Sequence, residues 1–222
     1  DVRKFFYRID HEVLMNIIKK KISDKYTVEL MRYYMCSTQR PFGMPLDGNH
    51  LTITDDEMLW DKGIAIGGGL SHMIGNMYLD QLDQYAKRTL GIKKYIRFAD
   101  DIIITDTDKG KLKEYEKLLT QFLNEKLLLE FNDRCALRPN RCGCEFVGCV
   151  IYPDHVLLRK STTLRMKKNL RRVAEKYKKY EVSFDYCKQV AASYAGMLEH
   201  VDGNRFKDKL WEDFVLTHNM EE

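Results

Sequence analysis

The chain has 222 residues, 44% hydrophobic and 32% charged, with a formal net charge of +4. That composition supports one large folded domain or two small ones and excludes disorder as the default. No apolar run approaches the length of a membrane span and nothing resembles a signal peptide, so no membrane partner is expected and a cytoplasmic location is inferred.

Asp1 to Ile9 reads as a buried strand running into a turn. The chain opens on Asp1 rather than Met, inside that strand-like run, and is therefore read as excised from a longer protein. Asp10 is placed to cap a helix carrying Val13, Leu14, Ile17 and Ile18 on one face. A second helix is expected over about Tyr26 to Met35, with Leu30, Met31 and Tyr34. Residues Cys36 to Lys62 are loop-like, broken by Pro41, Gly43, Pro45 and Gly48. After the glycines of Gly63 to Gly69, Ser71 is expected to cap a helix that continues to about Leu90.

Lys94 to Thr105 predicts a strand, a tight turn at Asp100-Asp101 and a second strand, both too apolar to stand exposed. Lys109 to Lys126 predicts an amphipathic helix with Leu112, Tyr115, Leu118, Leu119 and Phe122 inward. A second hairpin, Glu145 to Tyr152 and His155 to Arg159, is expected around Pro153-Asp154. A basic helix from about Ser161 to Tyr180 would face inward with Leu164, Leu170, Val173 and Tyr177, and another helix follows near Phe184 to Glu199. Interleaved strands and helices without a regular βαβ rhythm or a Rossmann glycine motif predict an α+β sheet covered on one face by helices.

From Val156 to Tyr180, Glu175 is the lone acid in a densely basic stretch. Such a field suits a polyanion, although a solvated helix face has the same composition. The six cysteines are irregularly spaced and read as reduced thiols; the Cys142-Cys144 pair is not a common finger spacing, so zinc is not expected.

Adjacent aspartates at a hairpin tip concentrate charge beside a core, which a divalent cation neutralises well; a solvated turn is the plain alternative. Asp1 lies on an apolar strand that could run beside that hairpin. Three carboxylates around one site can hold two magnesium ions about 3.5–4 Å apart, the arrangement used for in-line phosphoryl transfer.

Four stretches carry a family resemblance. Asp1-Val-Arg-Lys-Phe-Phe-Tyr-Arg-Ile-Asp-His11 resembles motif A of bacterial reverse transcriptases, and Tyr95-Ile-Arg-Phe-Ala-Asp-Asp101 resembles motif C. The run from Gly63 to Asp83 is similar to motif B, and Glu145-Phe-Val-Gly-Cys-Val-Ile151 to motif E, the primer-gripping hairpin. The order and spacing match the family over nearly the whole chain. The resemblance implies an RNA-directed DNA polymerase: a right-hand palm over residues 1–155, with a helical and loop insertion at about 11–62, followed by a mostly helical thumb over 156–222. The fingers of the family would precede Asp1.

It further implies that Asp1, Asp100 and Asp101 are catalytic and hold two Mg²⁺ ions, for which Mn²⁺ can substitute, with the Val2 carbonyl as an additional ligand. Phe6 matches the steric gate against a ribose 2′-hydroxyl, and core packing is its plain alternative. Ile66, Gly67 and Gly68 would lie at the nascent base pair. Ser71, Arg159, Lys160, Arg165, Lys167, Lys168, Arg171 and Arg172 would contact the primer–template backbone, positioning it without reading sequence. Most of the family has glutamine at the place of Ile66. An apolar residue there resembles the error-prone enzymes of diversity-generating retroelements, as do Pro153 to Lys160 and Ser193 to His200; Ser71-His72 departs from that group's pattern.

A motif D lysine is not matched. Arg134 or Arg138 could bind phosphate, but the high pKa of arginine makes it a poor proton donor. His72 and Arg97 are read as structural. The implied partners are an RNA template, a DNA or RNA primer, dNTPs and an accessory protein, in a bacterial or phage-encoded system. Defence-associated and group II intron-type reverse transcriptases are the alternatives within the family. Outside it stand a non-catalytic nucleic-acid-binding module derived from a palm and a protein-interaction domain.

Overall fold

The computed structural model describes residues 1–36, 40–49, 52–133 and 135–217, with only the backbone at residue 36. It is a mixed helix-and-sheet protein with two small antiparallel sheets, and it divides into two compact units, Asp1–Leu137 and Arg138–Glu222. Among the described residues no helix is long and apolar enough to cross a membrane.

In the first unit the expected opening strand is replaced. Within residues 1–9 only Val2 forms a β-bridge, to Phe131, and the chain then turns into a one-turn helix α1 (Phe5–Arg8). Lys4 makes the turn at φ 51°. Its ammonium donates to the carbonyls of Pro45 (3.1 Å), Leu46 (2.8 Å) and Gly48. Those acceptors lie some forty residues away, so local propensity could not reveal them.

Helix α2 (His11–Lys21) starts as expected. The Asp10 carboxylate accepts from the amides of Glu12 and Val13 at 3.0 and 3.1 Å, satisfying donors that the first turn leaves orphaned. Leu14, Ile17 and Ile18 are buried. In α3 (Lys25–Cys36), Met31 is buried but Leu30 faces solvent, because the chain packs α3 through Met31 and Met35 instead.

Helix α4 (Gly69–Gln84) is the centre of the unit and ends in a π-helical turn, Tyr85–Thr89. Its Ile74, Tyr78, Leu79 and Leu82 are fully buried. The Tyr78 hydroxyl donates to the Leu127 carbonyl (2.6 Å) and accepts from the Asp10 amide (3.4 Å), joining α4 to the start of α2 and to the chain at Leu127. Burial pushes its pKa well above the usual tyrosine value.

Strands β1 (Tyr95–Phe98) and β2 (Asp101–Ile104) pair antiparallel, with Phe98 opposite Asp101. The two-residue turn is therefore Ala99-Asp100, with Ala99 at φ 51°, and Asp101 already belongs to β2. This sheet has only two strands. Ile102 and Ile104 pack on the core, whereas Ile96 and Phe98 stand 59% and 60% exposed, so one face of the hairpin is open despite its apolar sequence. Helix α5 (Lys109–Lys126) has the expected bounds and is capped by Asp108. Leu119 and Leu123 are its buried residues; Leu112, Tyr115, Leu118 and Phe122 are half-buried.

The second unit contains a three-stranded sheet: β3 (Cys144–Phe146), β4 (Cys149–Ile151) and β5 (Val156–Leu158). The expected single arm from Glu145 to Tyr152 is two strands, β3 and β4. Val147 and Gly148 separate them, both at positive φ (48° and 79°), the signature of a tight hairpin turn. The Gly148 carbonyl accepts from the Arg159 amide (2.9 Å) and the Thr162 hydroxyl (3.1 Å). Helix α6 (Lys160–Lys178) is thereby tied to the sheet, followed by α7 (Phe184–Glu199) and α8 (Asn204–Glu212), the last not anticipated. Met166, Leu170, Leu198, Val201 and Leu210 form the core. Leu170 and Val173 are buried as expected and Tyr177 is half-buried, but Leu164 is 58% exposed because it lies about 120° round the helix from Leu170, and Thr162 and Met166 continue the buried stripe instead.

Candidate functional site

The acidic turn lies beside the start of the chain. The Val2 amide donates to the Asp100 carbonyl at 3.3 Å. On its other side the segment is held by Arg3 N–H to Glu130 O (2.8 Å) and Asn132 N–H to Asp1 O (2.8 Å). Asp1 is thus brought to the hairpin tip through backbone pairing, although ninety-nine positions separate it from Asp100. Its carboxylate accepts from the Asn132 side-chain amide at 3.1 Å.

Among the described residues no group of three or more His, Cys, Asp and Glu side chains is gathered to hold a metal. Equally, no Lys, Arg or His side chain among them forms an ion pair with Asp100 or Asp101. Burial, and beside it the Asp101 carboxylate, raise the Asp100 carboxyl above the ordinary value of 3.8. Two half-buried acids that form no ion pair with a basic side chain among the described residues are a suitable arrangement for a hard divalent cation.

That raised carboxyl has a testable consequence. Below pH 3.8 folded and unfolded chains both carry the Asp100 proton. As pH rises, the unfolded chain loses it first, so stability falls until the folded carboxyl also ionises. Asp100→Asn is therefore expected to melt higher than wild type at neutral pH in EDTA, with the difference vanishing at strongly acid pH. Magnesium should raise the melting temperature of wild type and not of Asp100→Asn/Asp101→Asn. An unchanged wild-type melting curve at millimolar magnesium would argue against a cation at this turn.

Arg97 shapes the turn. Its Nε and Nη2 donate to both oxygens of Asp83 on α4, at 2.8 and 2.7 Å, and Nη1 donates to the carbonyl of Ala99 (2.7 Å) and to Asn76 Oδ1 (3.0 Å). Tyr95 Oη donates to the same carboxylate at 2.7 Å. The structural role read for Arg97 becomes specific: it holds the acidic turn to α4. Asp83, Asn76 and Tyr95 were not singled out from sequence, because nothing local pairs them with residues twelve or more positions away.

Phe6 is half-buried on α1, edge-on to the ring of His72 on α4 at 5.6 Å. Gly75 permits this packing: a Cβ there would lie 3.0 Å from the Phe5 ring and 3.3 Å from that of Phe6. His72 therefore backs Phe6. In the glycine run, Ile66 is 57% exposed and Gly67 adopts φ +102° in open space. Gly68, not Ser71, precedes the first turn of α4. Ser71 is buried inside that turn, 3.3 Å from the Tyr34 hydroxyl, so the capping and nucleic-acid roles expected of it are not available to its side chain. The glycines let the helix begin three residues early.

In the second unit, Lys160, Arg165, Lys168, Arg171 and Arg172 are exposed on α6. Two expected contacts are otherwise engaged: Arg159 pairs with Glu145 at 2.7 Å, and Lys167 lies over the Phe206 ring at 5.5 Å. Arg172 donates to Asn169 at 2.8 Å and remains exposed. Arg138 is exposed, and Arg134 lies outside the described residues. Cys135, Cys142, Cys144, Cys149 and Cys187 are not in disulfides. A scan against protein-family models finds no match to this chain, and no curated protein matches it.

Proposed function

We propose that this chain is the palm and first part of the thumb of an RNA-directed DNA polymerase of the bacterial reverse-transcriptase type. The observation that carries the reading is the Val2–Asp100 hydrogen bond. It draws the Asp1 segment against an acidic turn with whose two carboxylates no Lys, Arg or His among the described residues forms an ion pair. Asp1, Asp100 and Asp101 would hold the magnesium. When bound, the ions would activate the primer hydroxyl and neutralise the triphosphate.

The protein's own groups supply the rest. Phe6, stiffened by His72, presents a ring where a ribose 2′-hydroxyl would have to fit, which supports selection of deoxynucleotides. Ile66 and Gly67 form an exposed, side-chain-poor edge that backbone and base can approach. The exposed cations of α6 would bind a nucleic-acid backbone with strong salt dependence. An apolar Ile66 cannot hydrogen-bond a nascent pair, which supports the retroelement-type, error-prone subclass.

Primer extension on an RNA template, with dNTPs compared with NTPs, tests this reading. Magnesium-dependent synthesis from dNTPs is expected, and Ile66→Gln should lower errors opposite template adenine. No synthesis across primers, and with manganese also tried, would favour a nucleic-acid-binding module derived from the same fold.

A further inference from the structure

Helix α3 is apolar on two sides. Met31 and Met35 pack into the core. On the outer side Tyr26, Leu30 and Tyr33 recur at i, i+4 and i+7, and they stand 77%, 57% and 71% exposed. Beside this stripe lies a groove of about 440 Å³ between the end of α2 and the first turns of α3. Half-buried Ile22 and Val28 line it, and exposed Lys19, Lys25 and Arg32 rim it, with Glu29 as the acid among its lining residues. Of the other charges nearby, Lys20 is exposed, Asp24 accepts from the Thr27 amide at 2.7 Å, and Lys21 pairs with Asp80 at 2.6 Å.

The stripe and the rim repeat together. Lys25-Tyr26 and Arg32-Tyr33 are each a cation followed by a ring, seven residues apart. Seven residues make close to two helical turns, so both pairs face the same way, about 10 Å apart along the axis. Three steps of a stacked strand, at about 3.4 Å each, cover that distance. We propose that the outer face of α3 binds an unpaired strand of nucleic acid. Tyr26 and Tyr33 stack on bases, Leu30 gives an apolar floor between them, and Lys19, Lys25 and Arg32 take phosphates. An exposed ring can stack on an unpaired base, whose face a duplex hides within its own stack. A protein covering the stripe would have to desolvate the three cations at its side, whereas a phosphate chain neutralises them. Glu29 lowers the local charge without reversing it. The site needs neither the acidic turn nor a metal, so it stands apart from the polymerase reading.

Fluorescence anisotropy with the full chain tests it, using labelled oligo-dT and oligo-U against a hairpin duplex of equal length. Tyr26→Ala/Tyr33→Ala is expected to weaken single-strand binding about thirtyfold, and to leave duplex affinity within about twofold. Tyr26→Phe/Tyr33→Phe keeps both ring faces and should bind as wild type does. Lys25→Gln/Arg32→Gln removes no ring and keeps the test decisive if the alanine variant folds poorly. It should reduce the slope of log affinity against log salt by about 1.4, the share of two phosphate contacts on a single strand. The proposal is overturned if wild type binds no single strand, if duplex binding falls as far as single-strand binding, or if the phenylalanine variant loses as much as the alanine one. An unchanged salt slope in Lys25→Gln/Arg32→Gln would also overturn it. Single-strand affinity unchanged in both the alanine and glutamine variants would do the same, and would mark the stripe as a protein-docking face instead.

Discussion

Asp100→Asn/Asp101→Asn is expected to abolish RNA-templated primer extension, a loss on the order of a thousandfold or more. The two carboxylates occupy a turn and the first residue of β2, and among the described residues no basic side chain pairs with either. Asparagine keeps the shape of the tip and removes both charges. If the acids hold the ions that stabilise phosphoryl-transfer charge, several kcal/mol of transition-state stabilisation disappear, and each ~1.4 kcal/mol is tenfold in rate. Binding of primer–template should survive, because the exposed cations of α6 are untouched. A variant that still extends primers at a tenth of the wild-type rate or better would show that the acidic turn is not the catalytic centre. A variant that fails to bind primer–template would place these acids in folding rather than chemistry.

The largest expected effect on stability is at Asp83. Its carboxylate receives two bonds from Arg97 and one from Tyr95, and the two charged side chains are only 21% and 10% exposed. Burial by itself would lower the Arg97 pKa, yet the Asp83 carboxylate more than offsets it and the guanidinium is held above its ordinary value. Asp83→Leu leaves that cation largely buried without its anion, and should cost about 3–5 kcal/mol. Urea unfolding followed by circular dichroism measures it. Asp83→Leu/Arg97→Met should recover most of the loss, since replacing both partners by apolar groups leaves no stranded charge. If the double variant is as unstable as the single one, the pair's contribution is not that of a buried charge needing its counterion. Because Arg97 also binds the Ala99 carbonyl, the single variant should loosen the acidic turn before the molecule unfolds.

These features differed in how far the residues alone announced them. Asp10 as a helix cap, the 3.6-residue spacing of Leu14, Ile17 and Ile18, and the bounds of α5 were legible because capping and amphipathic burial act within about one helical turn. The acidic hairpin was legible for the same reason, its apolar runs and turn lying within ten residues. Local rules failed wherever a distant group intervened. Lys4 reaches carbonyls around residue 46, ending the strand that Val2 begins and starting α1. Ser71 looked like a cap, but Gly67 and Gly68 allowed α4 to start earlier and turned Ser71 inward to Tyr34. Leu30 was placed on an apolar stripe and still faces water, because α3 packs through Met31 and Met35, whereas Leu164 faces water because it lies off the Met166–Leu170–Val173 stripe.

Residue type and spacing therefore established helices α2 to α7 and where an acidic turn would stand, since those choices depend on contacts a few residues apart, whereas α1 and α8 were not legible in that way. The pairing of Asp83 with Arg97, the seat of Asp1 beside Asp100, and the ring of His72 behind Phe6 arose only on folding. Each joins segments that are between fourteen and about a hundred positions apart in the chain. No short-range periodicity encodes such a meeting; it follows from the packing of whole elements.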